Sequence, residues 1–293
     1  MQVAIHLGVH CTDEDRLLRS LLQNKGVLAK EGISVPGPGR YREIVRKYTT
    51  KLRGTPADDE TQDEIRKTIL DDDTAERVIL ASEDFICVHG RIFENHILYE
   101  KSGYKTNWLR NLFPRDDVEF FIGIRNPATF IPAAYHHPKQ NQKEFPYFLN
   151  NADVTDILWS DVILAIREAN PNCPVTVWCN EDTPLVWPEI MHEISGKDPF
   201  TQLEGGFNIL SSIMSEAGMN RLINYLENHS PANEIQRRRI VAAFLDKFAI
   251  ADAIEEELDV PGWTENLVTE LTEIYEDDLF EIEKLPGVKL ITP

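Results

Sequence analysis

Residues 1–18 of this chain read MQVAIHLGVHCTDEDRLL, an apolar strand that turns at Gly8 into a helix. We expect Thr12 to cap that helix, which then begins at Asp13. A strand, a glycine turn and a helix N-terminus bring free N–H groups and the helix dipole together, as in many phosphate sites. Here, however, carboxylates occupy positions 13, 14 and 15. The stretch therefore predicts the backbone of a phosphate-binding loop with the wrong charge for phosphate.

Asp13, Glu14 and Asp15 allow three interpretations. A carboxylate about 7 Å from a phosphate costs roughly 2 kcal/mol at an effective dielectric constant near 20. The same acids stabilise a helix N-terminus by about 0.3–1 kcal/mol each. The loop is thus a stabilised helix start, a site reused for a cation or an amine, or a phosphate site rescued by cations from elsewhere in the chain.

The composition excludes several classes of protein. The net charge of −19, from 49 acidic and 30 basic residues, disfavours nucleic acids and anionic membranes as partners. No apolar run approaches the roughly 20 residues needed to span a bilayer, and the N-terminus lacks the basic region of a signal peptide. The four cysteines form no CxxC pair, so we expect buried free thiols in a cytoplasmic protein.

Strand-like and helical segments alternate along the chain. Apolar runs predict buried strands at 3–8, 77–81, 118–124, 175–179 and 288–291. Helices are predicted at 13–31, 65–70, 94–112, 155–170 and 188–195, and the acidic runs at 58–64 and 71–73 predict surface loops or helix ends. This alternation indicates a doubly wound α/β fold, a parallel sheet flanked by helices.

The pattern becomes almost wholly helical from Phe207 onward. We therefore expect an α/β core at 1–206 and a mostly helical extension at 207–293 packed on it, together describable as one domain. Thirteen acidic residues and no Lys or Arg occur between Asp252 and Glu283, with apolar residues at helical spacing. This favours amphipathic helix with a solvated outer face over a docking surface.

Several elements of the chain resemble the sulfotransferases that use 3′-phosphoadenosine 5′-phosphosulfate (PAPS). That family opens with a strand ending H-x-G-x-x-K-T-G-T-T, and this chain has His6, Gly8 and Thr12 at the matching positions. The further similar elements are Ser82-Glu83, Arg125-Asn126-Pro127 with Tyr135, Glu181-Asp182, and Tyr275-Glu276-Asp277-Asp278-Leu279. The resemblance, which runs from residue 1 to about residue 283, implies a P-loop-like sheet of the sulfotransferase type with helical elaboration at the C-terminus.

Three departures from the family pattern affect donor binding. Cys11 stands where the family has its phosphosulfate lysine, residues 13–15 replace Gly-Thr-Thr, and Ala133 replaces the serine that holds the 3′-phosphate. Losing one charge-assisted contact costs about 1.5–3 kcal/mol. The donor site is therefore expected to be degenerate.

The resemblance implies PAPS as the donor, with Gly8, Thr12 and Arg125 as the residues that bind it. Arg125 would hold the 3′-phosphate, and the sulfuryl group would pass to a hydroxyl or amine of a small-molecule or sugar acceptor. His10, beside the loop, and Glu83, after the second predicted strand, are the candidate general bases.

Residues 40–53 are basic against the acidic background, with Arg40, Arg42, Arg46, Lys47, Lys51 and Arg53. Arg42 and Arg46 are four residues apart and share one face of the predicted helix. We expect these two to bind an anionic substrate such as a sugar acid or phosphate. Pairing of the helix with the acidic C-terminal region is the alternative.

Three functional hypotheses follow. The first is a diverged, active sulfotransferase. The second is a non-catalytic sulfotransferase-fold binding or interaction module that has lost PAPS binding. In the third, residues 13–15 are ligands of Mg²⁺, which bridges to a phosphate. No zinc site is predicted from the cysteines, and the oligomeric state does not follow from the sequence.

Overall fold

The computed structural model describes residues 1–71, 74–140, 144–197 and 201–293. Its strands are β1 (Gln2–His6), β2 (Ile33–Ser34), β3 (Arg77–Ala81), β4 (Phe93–Glu94), β5 (Ile97–Leu98), β6 (Asp117–Ile124), β7 (Val175–Cys179) and β8 (Val288–Ile291). Within the described residues, six of them form one parallel sheet in the order β2-β3-β1-β6-β7-β8, and β4 pairs with β5 in a separate hairpin.

The helices that surround the sheet vary in length from one turn to more than five. In chain order they are α1 (Arg16–Gln23), α2 (Lys25–Lys30), α3 (Pro38–Leu52), α4 (Asp59–Ile69), α5 (Ser102–Arg110), α6 (Pro127–His136), α7 (Phe145–Phe148), α8 (Trp159–Ala169), α9 (Thr183–Ser195), α10 (Asn208–Ile213), α11 (Glu216–Asn228), α12 (Glu234–Phe248), α13 (Ala251–Ile254) and α14 (Glu265–Lys284). The predicted α/β class with a helical C-terminal region is confirmed.

The sheet has helices on both faces because its strand residues alternate in direction. Val3 and Ile5 of β1 belong to a core shared with α3, α4, α5, α6, α8 and α14. Ala4 belongs to the opposite core, shared with α1, α2 and α9. Since α1 follows β1 on one face and α6 follows β6 on the other, the chain changes direction between these two neighbouring strands. In open α/β sheets the crevice at such a switch point is where ligands bind.

The C-terminal region contributes to the main sheet as well as to a separate cluster. α14 packs against α6 and α8, and β8 extends the sheet beside β7. α10, α11 and α12 enclose a small core of their own, which includes Leu210, Leu222 and Val241. None of the helices in the described residues has both the length and the apolar character needed to cross a membrane.

Several predicted boundaries are wrong. The first helix begins at Arg16, and Asn24 separates α1 from α2. The predicted helix at 94–112 is helical only in α5, because the β4–β5 hairpin occupies its start. Of the two predictions for the acidic run at 58–64, a surface loop or a helix end, the structure shows the helix end, because the run is the N-cap and first half of α4. In the run at 71–73, residues 72 and 73 lie outside the described residues.

Candidate functional site

The loop that follows β1, residues 7–15, is called the β1 loop. It meets the loop that follows β6 at the switch point. Arg125, the first residue after β6, extends its side chain to the β1 loop, where Nη1 donates to the carbonyl oxygen of Cys11 at 2.6 Å. The Arg125 side chain is only 9% exposed. The cation predicted from the sequence is therefore fixed at the carboxyl edge of the sheet, between the two loops.

The β1 loop has an unusual backbone. Gly8, Cys11, Glu14 and Asp15 all have φ between 48° and 78°, in the left-handed region. Within the described residues, the N–H groups of residues 11–15 make no hydrogen bond to another group. Unpaired N–H groups in a loop of alternating backbone handedness form the type of concavity that binds anions. The backbone of this loop is therefore compatible with an anion site, and phosphate binding there stays a prediction.

The predicted cap of α1 is wrong. The Thr12 hydroxyl donates to the carbonyl oxygen of Val9 at 2.6 Å instead of accepting from the helix. Asp13 takes the capping role, because its buried carboxylate accepts from the N–H of Leu17 at 2.9 Å. The N-terminus of α1 is therefore already occupied by a carboxylate of the chain itself, that of Asp13. Gly8 packs against Glu83, and Thr12 faces its own loop.

Arg125 is paired with an acid from the C-terminal region. Nη2 donates to Oε2 of Glu256, in the segment between α13 and α14, at 2.5 Å. Nε donates to the hydroxyl of Thr129 at 3.1 Å. All of the guanidinium nitrogens of Arg125 thus have partners within the chain. The sequence does not single out Glu256, because nothing distinguishes it from Glu255 and Glu257 in the same acidic run.

The elements that follow Arg125 hold it in place. The N–H of Asn126 donates to Glu181 Oε1 at 2.8 Å, and the Tyr275 hydroxyl lies 3.4 Å from the other oxygen of that carboxylate. Burial raises the pKa of Glu181. The indole N–H of Trp159 donates to the carbonyl oxygen of Arg125 at 2.8 Å.

Asp278 supports the same region from α14. Its carboxylate accepts from the N–H groups of Trp159 at 2.7 Å and Ser160 at 3.1 Å, and so caps α8. Burial raises the pKa of Asp278. Tyr275 and Asp278, two residues of the C-terminal element quoted above, therefore brace the Arg125 segment rather than face a ligand.

The two predicted bases have partners of their own. The backbone N–H of His10 donates to the Tyr99 hydroxyl at 3.1 Å, and the same hydroxyl lies within hydrogen-bond distance of His10 Nδ1, at 2.7 Å. On the other side of the ring, His10 Nε2 lies 3.5 Å from Asp84 Oδ1. The hydrogen bond from His10 lowers the pKa of Asp84. Glu83 forms an ion pair with Lys139 at 2.7 Å.

Lys139 brings a cation close to the β1 loop. Burial raises the pKa of the Cys11 thiol to about 12, while the positive charges of Arg125 and Lys139 oppose that rise. Lys139 follows α6 in the sequence, and its pKa is raised by the hydrogen bond to Glu83. The sequence does not single out Lys139, because it follows a helix and not a strand.

A cavity of about 830 Å³ lies at the carboxyl end of β3, between α3 and α5. Arg42 and Arg46 both line it, as the prediction of an anion-binding pair requires. Arg42, however, donates to the carbonyl oxygen of Ala81 at 2.9 Å and to Asp15 Oδ1 at 2.5 Å. It therefore separates the cavity from the β1 loop.

Two other cations of α3 pair with nearby acids. Arg40 contacts Asp71, and Lys47 forms an ion pair with Glu64 at 3.0 Å. In the described ranges, no ion pair joins α3 to residues 252–283. The alternative of a contact with the acidic C-terminal region is therefore wrong.

Two acids of the β1 loop accept hydrogen bonds from different groups. The Asp13 carboxylate accepts from the N–H of Leu17, and the Asp15 carboxylate accepts from Arg42. Among the residues that the structure describes, no group of three or more His, Cys, Asp or Glu side chains is placed to hold a metal ion.

His89 predicts a pH dependence of stability. Its buried ring stacks on His137, and its Nε2–H donates to the carbonyl oxygen of Ala134 at 2.8 Å. Burial lowers the pKa of His89 to about 4, against 6.5 in an unfolded chain. The unfolded state therefore binds the proton first, and stability falls as the pH drops from about 6.5 to about 4, by on the order of 1–3 kcal/mol.

The measurement is urea unfolding at several pH values between 7 and 4, for the wild type and His89→Gln. Glutamine keeps an N–H donor but does not titrate, so we expect a smaller loss of stability on acidification in the variant. Equal losses in both proteins would mean that His89 does not remain neutral in the fold.

No protein-family model and no curated protein matches this sequence. Among solved structures, the chain is similar to a sulfotransferase from Alicyclobacillus acidocaldarius, with 11% sequence identity and a TM-score of 0.41. The match covers 82% of this chain and 97% of that one. A likeness this distant carries no argument about the activity of this chain.

Proposed function

We propose that this chain is a sulfotransferase-fold binding protein that does not bind PAPS, because its own carboxylates close the switch-point site. The observation that carries the proposal is the ion pair between Arg125 and Glu256. Arg125 is the residue that the resemblance assigns to the 3′-phosphate, and a phosphate would have to displace Glu256 to reach it. This is the second of the hypotheses drawn from the sequence.

The rest of the crevice also fits PAPS poorly. Asp13 occupies the N-terminus of α1 as an anion, and Cys11 offers a protonated thiol where the family has a lysine. Each carboxylate near a bound phosphate costs roughly 1–2 kcal/mol at an intermediate dielectric constant. Two such charges, together with one lost cationic contact, reduce affinity by several orders of magnitude.

An active sulfotransferase is the second candidate. It is favoured by the unpaired N–H groups of residues 11–15 and by Lys139, which supplies a positive charge near Cys11. In that case the segment that carries Glu256 has to leave Arg125 before the donor binds. The two candidates differ in the affinity of the wild type for the nucleotide.

The test is calorimetric titration with adenosine 3′,5′-bisphosphate, with and without Mg²⁺. We expect no binding by the wild type up to about 1 mM ligand. Asp13→Asn with Glu256→Gln removes two negative charges but keeps both hydrogen-bond acceptors. We expect this double variant to bind at least about tenfold more tightly than the wild type. Glu257→Gln, which removes one acid from the same run, is the matched control. Like the wild type, it should show no binding of the nucleotide.

Three outcomes would contradict the proposal. Micromolar binding by the wild type without metal would favour the active enzyme, and binding only with Mg²⁺ would favour the metal bridge. If the double variant also binds no nucleotide, the missing lysine and serine, and not the carboxylates, abolish binding.

A further inference from the structure

The cavity between α3 and α5 is basic, although the chain as a whole is strongly acidic. Its lining includes five cationic side chains, Arg42, Arg46, Arg91, Lys101 and Lys105, and two acidic ones, Glu43 and Asp84. The whole chain has 49 acidic and 30 basic residues, so this excess of positive charge is local. The cavity is also large enough for a small ligand.

Two of the cations lack an acidic partner. Lys101 contacts Glu94, and Arg91 Nε lies 3.8 Å from the same carboxylate. By contrast, neither Arg46 on α3 nor Lys105 on α5 has an ion pair within the described part of the chain. Lys105 lies over the ring of Trp108, with Nζ 4.3 Å from the centroid.

The position of Lys105 is electrostatically unfavourable for a free cation. Burial lowers its pKa, and the positive charges of Lys101 and Arg91 lower it further. An anion between α3 and α5 would relieve this repulsion and would be screened less by salt than at an exposed site.

The remaining lining suits a polyhydroxylated molecule. Ser82 and Thr50 offer hydroxyl groups and Asp84 offers a carboxylate, beside aliphatic side chains such as Val45 and Leu109. Sugars present both hydroxyl groups and apolar C–H faces, so their ring matches this mixture. Asp84 Oδ1 lies 3.5 Å from His10 Nε2, at the border between the cavity and the β1 loop.

We propose that this cavity binds a sugar-sized molecule that carries a carboxylate or a phosphate, with Arg46 and Lys105 holding the anionic group from opposite walls. The site is distinct from the switch-point crevice and does not depend on whether a nucleotide binds there. Lys105 and Arg91 add to the pair Arg42 and Arg46 that the sequence indicated.

The experiment is calorimetric titration at low ionic strength, without nucleotide, using glucose 6-phosphate, glucuronic acid and glucose as probes. We expect at least one of the two anions to bind, and to do so about tenfold or more tightly than glucose. The phosphate and carboxylate arms show which anionic group the site prefers. Lys105→Gln should weaken the preferred anion about tenfold, and Lys105→Gln with Arg46→Gln about a hundredfold.

Lys47→Gln is the matched control, because Lys47 lies on α3 but pairs with Glu64 outside the cavity. Its affinity should stay within about twofold of the wild type. Lys105→Arg should retain most of the binding. The proposal is overturned if neither anion binds up to about 10 mM, if glucose binds equally well, or if Lys47→Gln weakens binding as much as Lys105→Gln. None of these results depends on the titration with adenosine 3′,5′-bisphosphate.

Discussion

Gly8→Ala should destabilise the protein by about 3 kcal/mol, through two separate penalties. Gly8 has φ of 78°, which costs an alanine about 1–2 kcal/mol. An added Cβ would also lie 2.6 Å from the Cα of Glu83, which is backbone and cannot rotate away. Overpacking of this kind costs typically about 1–3 kcal/mol. The free energy of unfolding in urea, followed by circular dichroism, measures the sum.

Gly26→Ala is the matched control for this prediction. An added Cβ at Gly26 meets no atom within 4 Å, and the residue lies in α2. Alanine is the better helix former by about 0.5–1 kcal/mol, so Gly26→Ala should leave stability unchanged or raise it. A loss below about 1 kcal/mol for Gly8→Ala would mean that the β1 loop does not pass this close to Glu83.

Trp159→Ala should cost about 3–5 kcal/mol, the range for removing a fully buried large aromatic side chain. Trp159 has no exposed surface, and its ring packs edge-on against Phe130 with centroids 5.3 Å apart. Its indole N–H also donates to Arg125. Removing the indole therefore opens a cavity next to Arg125, the central residue of the candidate functional site. Urea unfolding again measures the effect.

Trp159→Phe separates packing from hydrogen bonding at this position. Phenylalanine keeps most of the apolar contact but leaves the Arg125 carbonyl oxygen without its donor, which costs about 1–3 kcal/mol. We expect the phenylalanine variant to lie clearly between the wild type and Trp159→Ala. If the phenylalanine and alanine variants are equally unstable, the hydrogen bond and not the packing dominates.

The central strands could be predicted because their burial leaves a clear pattern. β1, β3, β6 and β7 are buried on both faces, so each is a short apolar run bounded by polar residues. β2 has only two residues and leaves no such pattern. The β4–β5 hairpin was hidden inside a helix-like segment, where Asn95 and His96 adopt positive φ and turn the chain.

The residues of the candidate sites also differ in whether the sequence identifies them. Arg125 could be found because it directly follows a buried strand, and ligands bind at that edge of the sheet. Its partner Glu256 could not, because the contact joins residues 131 positions apart and any acid of its run is equally plausible from sequence. Lys105 belongs to the cavity only through the packing of α5 against α3, which no local periodicity expresses.

The brace formed by α14 has a consequence for how the protein is made. Arg125 leaves the ribosome long before Asp278, since about 150 residues separate them and synthesis takes roughly ten to thirty seconds for that length. Until then Glu181 lacks the hydroxyl of Tyr275, and the N–H groups that begin α8 lack their cap. The switch-point crevice is thus completed only late in translation. In a nascent chain that stops before α14, the segment around Arg125 would lack the contacts made by Tyr275 and Asp278.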